Sequence, residues 1–169
     1  MQALQPPDHH HLAAAEGWFE LGNDFEAAAE WDRLSSTARQ HPAALELRWH
    51  IAARRQDWEH ALALAGELVA RAPGLPVGWL HRAYAFRRTP QGGLQAAWDA
   101  LLPAAQHFPE ERLIAYNLAC YAACLGRLDD AWEWFLRASQ IAGDARTLRQ
   151  LALKDPDLEP LWPRIRGLR

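Results

Sequence analysis

The stretch AYNLACYAACLGRLDDAWEWFLRAS, residues 115 to 139, decides the fold. Its apolar residues recur at three- and four-residue spacings on both sides of Gly126, a pattern typical of two amphipathic helices joined by a tight turn. In this stretch a leucine, Leu128, is followed three residues later by an alanine, Ala131. Three earlier runs have an aromatic residue or a leucine followed by an alanine at the same spacing: Phe25 to Ala28, Trp58 to Ala61 and Leu94 to Ala97. These alanines are 33, 36 and 34 residues apart. A period near 34 indicates stacked helix pairs.

Prolines and glycines lie between the helical runs, as expected at helix boundaries. They include Pro42, Pro73, Pro76 and Pro109. We therefore predict eight helices, near residues 10–21, 25–40, 42–55, 58–71, 76–88, 94–107, 111–124 and 128–142.

The repeats resemble the tetratricopeptide-repeat family, whose unit is a 34-residue helix-turn-helix. The fourth copy carries the signpost residues Leu118, Ala119, Gly126, Ala131, Phe135 and Ala138. The YNLACY stretch and the trailing KDPDLEPLW are similar to a recurring bacterial variety of these proteins. The resemblance implies an all-α fold, a right-handed superhelix of antiparallel helix pairs with about four repeats and C-terminal capping helices.

The same pattern predicts how the chain is organised. Residues 1–8 are expected to be a frayed N-terminus, and residues 9–143 to hold four repeats, at about 9–41, 42–75, 76–111 and 112–143. Residues 144–169 are expected to form a capping helix and tail. Asp144 begins the predicted cap, and the residues predicted to cover the last pair are Leu158, Leu161, Trp162 and Ile165.

Composition and charge narrow the classes of function. A formal charge of −3 and a pI near 6.2 argue against binding to nucleic acid. No basic start with an apolar core and no run of about 18 apolar residues is found, so neither export nor a membrane span is expected, and the cytoplasm is the expected location. Cys120 and Cys124 lie four residues apart on one predicted helix, which favours reduced, buried thiols over a disulfide.

The sequence carries no motif for catalysis or for a cofactor: GxGxxG, P-loop, HExxH and GxSxG patterns are absent. We therefore expect no enzyme activity and no cofactor. His9, His10 and His11 form the only compact histidine run, and consecutive helical residues point in different directions. Because metal ligands must converge, no metal site is expected.

A binding surface is implied by the resemblance alone. In that family the first helix of each pair lines a concave groove. The corresponding residues here are Glu46, His50, Arg54, Leu80, His81, Tyr84, Arg87, Arg88, Tyr116, Asn117 and Cys120. Asn117 falls where many such domains hold an asparagine that binds a peptide backbone. Arginine pairs bidentately with carboxylates, so the expected ligand is an acidic, extended peptide.

The sequence thus predicts a non-enzymatic scaffold that holds a peptide segment of another protein in its groove. One alternative is a chaperone-like or assembly subunit that acts through self-association or through its convex face. A second is an RNA-binding helical repeat, which requires base-reading residues at fixed repeat positions, and the groove residues do not repeat in this way. The identity of the partner, the oligomeric state and the face that binds stay open.

Overall fold

The computed structural model describes residues 3–168, and the regular elements in that range are all helical. The α-helices are α1 (Asp8–Glu20), α2 (Asp24–Trp31), α3 (Pro42–Arg54), α4 (Trp58–Arg71), α5 (Pro76–Phe86), α6 (Leu94–Leu101), α7 (Ala104–His107), α8 (Arg112–Cys124), α9 (Leu128–Ile141), α10 (Ala145–Ala152) and α11 (Trp162–Arg166). Two 3₁₀ helices cover Ala38–Gln40 and Pro156–Leu161. Among the described helices, none combines the length and the apolar character that crossing a membrane requires. The predicted all-α class is confirmed.

The chain divides into two compact units, unit 1 ending at His81 and unit 2 beginning at Arg82. In unit 1, α1 packs on α2 and α3 packs on α4. In unit 2, the largest packing interface joins α8 to α9. Helices that follow one another in sequence therefore pack as pairs, as the repeat period predicts.

One alanine marks the same place in each second helix. Ala27, Ala61, Ala97 and Ala131 are all fully buried. The first copy corrects our register by one residue, because we assigned Ala28 to this place. Asn23 caps α2 by accepting a hydrogen bond from the backbone N of Glu26, which starts the helix at Asp24 and puts Ala27 in the core. The first repeat distance is therefore 34, from residue 27 to residue 61.

Phe25, which was expected to start the motif in this first copy, is 74% exposed. It lies one position after the start of α2, whereas Trp58, Leu94 and Leu128 are the first residues of their helices. The aromatic signpost of the first copy is therefore not part of its core.

Two predicted helices are interrupted. The helix expected over 25–40 ends at Trp31, and the segment that follows still buries Leu34 and Ala38, the latter in a short 3₁₀ helix at Ala38–Gln40. There the backbone N and Oγ of Ser35 both donate to the Asp8 carboxylate at 2.7 Å. The helix expected over 94–107 ends at Leu101, two residues before Pro103, which lacks the N–H that a continuing helix needs.

The C-terminal segment packs against the last helix pair of unit 2. Asp144 caps α10 by accepting from the backbone N of Arg146 and of Thr147. The 3₁₀ helix Pro156–Leu161 contacts both α8 and α9. Among the described residues of the segment, those with no solvent exposure are Ala152, Leu158, Leu161 and Ile165. The apolar end of this pair is therefore covered by the chain itself.

Candidate functional site

Two hydrogen-bond donors lie next to each other on α8. Tyr116 and Cys120 are one helical turn apart, so their side chains share one face of the helix. Both residues are buried. Glu111 fixes the start of the helix by accepting from the backbone N of Leu113. The helix thereby presents a phenol and a thiol side by side.

The segment that follows α10 brings a carboxylate to these donors. Asp155 caps the 3₁₀ helix, with its Oδ1 accepting from the backbone N of Asp157 at 3.0 Å. Its Oδ2 accepts from Tyr116 Oη at 2.9 Å and lies 3.7 Å from Cys120 Sγ. A single carboxylate therefore binds both donors of α8 and also its own backbone.

A second carboxylate of the same segment pairs with an arginine that follows α5. Arg87 makes a bidentate ion pair with Asp157: Nη2 donates to Oδ1 at 2.7 Å, and Nη1 donates to Oδ2. The Arg87 guanidinium also lies 5.8 Å from the ring centroid of Tyr121. Hydrogen bonding to Arg87 lowers the pKa of Asp157 below its ordinary value of 3.8, and the same bond raises the pKa of Arg87. Both groups therefore stay charged at neutral pH.

The donors on α8 stay protonated. Burial, and next the negative charge of Asp155, raises the pKa of the Cys120 thiol far above its ordinary range. Burial also raises the pKa of Tyr116. Because a nucleophilic cysteine needs an accessible thiolate, Cys120 is suited to donating a weak hydrogen bond and not to covalent chemistry.

Cys124 differs from our expectation of a buried thiol. Its side chain is exposed, and its Sγ lies 3.8 Å from the backbone oxygen of Asp157. Burial of the sulfur raises its pKa to about 11 all the same, and the negative charge of Asp157 contributes to this shift. Both cysteines are free thiols, as the sequence predicts.

A cavity of about 340 Å³ adjoins the Asp155–Asp157 segment. Three guanidinium groups line it, those of Arg87, Arg88 and Arg112. Arg88 lies over the Tyr84 ring, 3.4 Å from its centroid, and donates to the Tyr84 backbone oxygen at 3.1 Å. The cavity is therefore more basic than its two aspartates can balance.

Asn117, which was expected to bind a peptide backbone, lines the same cavity. Its Nδ2 donates to the backbone oxygen of Leu113 at 2.8 Å, one turn earlier on its own helix. The amide oxygen and the second N–H of this side chain can still bind a ligand in this rotamer.

The predicted residues of unit 1 form a separate group. Glu46, His50 and His81 come together, and one ligand-type atom of each lies within 4.8 Å of the others. Arg54 is engaged elsewhere, because its Nη1 donates to Asp24 at 2.7 Å and to the backbone oxygen of Phe19 at 2.9 Å. Leu80 is partly buried.

The electrostatics of this group leave one imidazole neutral. Burial lowers the pKa of His81 to about 4, and the positive charge of His50 contributes to the shift. Glu46 Oε1 lies 3.9 Å from His50 Nε2, and this interaction with His50 lowers the pKa of Glu46. At neutral pH, an ionised carboxylate therefore lies beside an uncharged ring.

Reasoning from sequence missed the two tail residues that bind the predicted positions, Asp155 and Asp157. The groove predicted to contain Arg54 together with Arg87 and Arg88 stays a prediction, since Arg54 belongs to unit 1 and the other two belong to unit 2. The sequence signal that could have indicated Asp155 and Asp157 is KDPD, in which an acidic pair flanks a proline that breaks the preceding helix.

Comparison with known proteins finds likeness at the level of structure. No family model matches the sequence, and no curated protein matches it. The solved structure titled MamA RS-1 ArsTM double mutant has a TM-score of 0.70 and 17% sequence identity, over 85% of this chain and 79% of that chain. TTC0263, a thermophilic TPR protein in Thermus thermophilus, has a TM-score of 0.67 and 20% identity, over 95% of this chain and all of that chain. The chain therefore has the fold of tetratricopeptide-repeat proteins, as the resemblance of its repeats predicts.

Proposed function

We propose that the chain is a non-enzymatic protein-binding scaffold whose unit 2 holds an acidic, extended segment of a partner protein. The observation that carries the proposal is the way this surface holds the chain's own Asp155-Pro156-Asp157 segment. Side chains at three of the predicted groove positions, Arg87, Tyr116 and Cys120, contact the two carboxylates of that segment. A surface that binds one acidic segment has the chemistry to bind another.

The cavity beside this segment has space for part of a partner segment. Its volume of about 340 Å³ falls within the range of small ligand pockets, roughly 300–1,000 Å³. The guanidinium groups of Arg88 and Arg112 meet an incoming carboxylate in this proposal, because both residues line the cavity. The Tyr84 and Leu113 side chains lining the cavity offer apolar contact to the rest of the segment.

Binding through these groups depends on salt. Leu113 is 48% exposed and Arg112 is also exposed, so the site is open to solvent. Charges exposed in this way are screened over about 8 Å at physiological ionic strength. We expect weak affinity that falls as salt is raised, as suits a reversible adaptor.

The RNA-binding alternative gains nothing from the structure. A one-base-per-repeat reader places similar polar side chains at one position of successive repeats. The fifth residue of α3, of α5 and of α8 is Glu46, Leu80 and Tyr116, respectively. These side chains share no hydrogen-bonding pattern.

Fluorescence anisotropy tests the proposal with a labelled peptide of sequence DPDLEP and a matched peptide NPNLQP, in which every side-chain carboxylate becomes an amide. We expect saturable binding of the acidic peptide and at least tenfold weaker binding of the amide peptide. The Arg88→Gln/Arg112→Gln variant should lose at least tenfold in affinity for the acidic peptide. As a charge-matched control, Arg71→Gln/Arg146→Gln removes two exposed arginines outside this cavity and should bind like the parent.

Two results contradict the proposal. Equal affinity for both peptides means that the surface does not recognise carboxylates. An Arg88→Gln/Arg112→Gln variant that binds the acidic peptide like the parent means that the peptide binds elsewhere. Formation of a stable dimer that prevents peptide binding, detected by light scattering, favours the self-association alternative instead.

A further inference from the structure

Unit 1 contains a cluster of three metal-ligand side chains that the peptide-binding proposal does not use. We call Glu46, His50 and His81 the Glu-His-His cluster. Glu46 and His50 are one turn apart on α3, with 3.9 Å between Oε1 and Nε2. His81 comes from α5. Two helices thus contribute a carboxylate and two imidazoles to one place in unit 1.

The spacing is close to what a metal ion requires. One ligand atom from each residue lies within 4.8 Å of the other two. A tetrahedral zinc ion with bonds of about 2.0–2.2 Å holds its ligand atoms roughly 3.3–3.6 Å apart. Inward shifts of about 1 Å or less close that difference, and rotation of the partly exposed Glu46 side chain with small tilts of the rings supplies them.

Aromatic neighbours hold the two imidazole rings in position. The Trp49 indole stacks on His81, with 3.6 Å between ring centroids and 3° between ring planes. Phe19 lies 5.9 Å from the His50 ring. The two imidazoles themselves meet edge to face at 5.1 Å. Rings that are already packed lose little freedom when a metal binds.

Two further features favour a ligand at this place. Nε2 of His81 is buried and has no hydrogen-bond partner within the described part of the chain. Buried polar atoms are almost always paired, so an unpaired ring nitrogen needs an explanation. In addition, Glu46 and His50 line a cavity of about 340 Å³ that also contains Glu16 and Glu20 of α1. Its acidic wall gives a cation an entry path.

We propose that the Glu-His-His cluster binds one divalent transition-metal ion per chain, with Zn²⁺ as the preferred ion. Two imidazoles and one carboxylate are a common protein ligand set for zinc, and they leave a fourth position for water or another carboxylate. The bound ion ties α3 to residues 76–81, the part of α5 that belongs to unit 1. This inference departs from the sequence-based expectation of no metal site.

Isothermal titration of the full chain with ZnCl₂ tests the proposal. The parent should bind one ion per chain at this site. His50→Gln and His81→Gln should each weaken that binding at least tenfold. The control variant, His9→Gln/His10→Gln, alters the histidine run near the N-terminus and should keep the affinity of the parent for this ion.

A second measurement guards against a variant that fails to fold. Glu46 is partly exposed, so Glu46→Gln should keep the fold while weakening zinc binding at least tenfold. Zinc should also raise the melting temperature of the parent more than that of Glu46→Gln, because a ligand that binds only the folded state stabilises it. Magnesium chloride at the same concentration should not raise the melting temperature of the parent or of Glu46→Gln.

The proposal is overturned if the parent shows no saturable zinc binding. It is equally overturned if His81→Gln and Glu46→Gln bind zinc like the parent while the His9→Gln/His10→Gln variant loses it. The peptide experiment on unit 2 is independent of both results, since none of its residues belongs to this cluster.

Discussion

Equivalent helix positions in unit 1 and unit 2 have different surroundings. Glu46 and His50 are the fifth and ninth residues of α3, and Tyr116 and Cys120 are the fifth and ninth residues of α8. The unit 1 pair is partly exposed and lines a cavity. The unit 2 pair is buried beneath Asp155 of the chain's own tail. The repeat thus decides where these side chains lie, while the rest of the chain decides what they contact.

The difference also shows in the charges. In unit 2, a tail carboxylate satisfies the donors of α8, and Arg87 and Asp157 neutralise each other. In unit 1, a carboxylate and two imidazoles lie together, and one ring nitrogen is left unpaired within the described residues. The first group of side chains binds carboxylates of the chain itself, and we propose that the second binds a cation.

We expect the largest loss of stability from a substitution in the tail, the segment that makes the two units differ. Leu161 has no solvent exposure, so Leu161→Ala should lower the free energy of unfolding by about 2–5 kcal/mol through lost burial and a new cavity. Urea unfolding followed by circular dichroism measures the change. Leu151, which is 54% exposed, gives the matched control, and Leu151→Ala should change stability by no more than about 0.5 kcal/mol. Equal small effects would mean that the tail is not part of the core of unit 2.

A substitution that overpacks the core tests the corrected register in unit 1. Ala27 is fully buried, so Ala27→Leu should overpack the α1–α2 interface and cost about 1–3 kcal/mol. Ala28 is only partly buried, and Ala28→Leu should cost less. Thermal melts of the two variants compare them directly. If Ala28→Leu proves the more damaging, the original repeat distance of 33 is right and the assignment of Ala27 is wrong.

The Arg87–Asp157 pair should make stability depend on pH. Because the folded-state pKa of Asp157 is lowered below 3.8, the carboxylate contributes stability that is complete above about pH 4 and is lost as the pH falls further. The parent should therefore lose more stability than Asp157→Asn between pH 5 and pH 3. Urea unfolding at both pH values, with the variant subtracted from the parent, isolates this contribution. A difference that does not change with pH would show that the pair does not stabilise the folded state.

The smallest effect is expected at the comparable arginine of unit 1. Arg54 pairs with Asp24, but its side chain is 39% exposed. Exposed ion pairs are typically worth about 0–1 kcal/mol, so Arg54→Met should change stability by no more than that in urea unfolding. A loss of stability as large as that of Leu161→Ala would contradict this prediction, because it would mean that the exposed Arg54–Asp24 pair is not a weak one.

The helices could be predicted from the sequence because their signals are local. Apolar spacing and the prolines between runs give bounds within a few residues for most of them. The error at Ala28 has a physical reason: residues 27 to 29 are all alanine, so the spacing alone cannot select the buried one. The position of the Asn23 cap determines which alanine is buried, but one cap residue is a weaker signal in a sequence than a repeated hydrophobic spacing.

The contents of the site could be predicted only in part. The predicted groove positions on α3, α5 and α8 follow from the family resemblance. Their partners do not, because Arg87 and Asp157 are 70 residues apart in sequence, and Tyr116 and Asp155 are 39 apart. The pairing of His81 with α3 likewise depends on how α5 packs in unit 1. No local pattern encodes such contacts.

A double-mutant cycle on Arg87 and Asp157 tests most directly whether unit 2 recognises the carboxylates of its own tail. The free energy of unfolding is measured for the parent, Arg87→Met, Asp157→Asn and the double variant at neutral pH. We predict a coupling energy of about 1–3 kcal/mol, since each single change leaves the other charged group without its partner. Additive effects, within about 0.5 kcal/mol, would contradict this account, because they would mean that the two side chains do not interact.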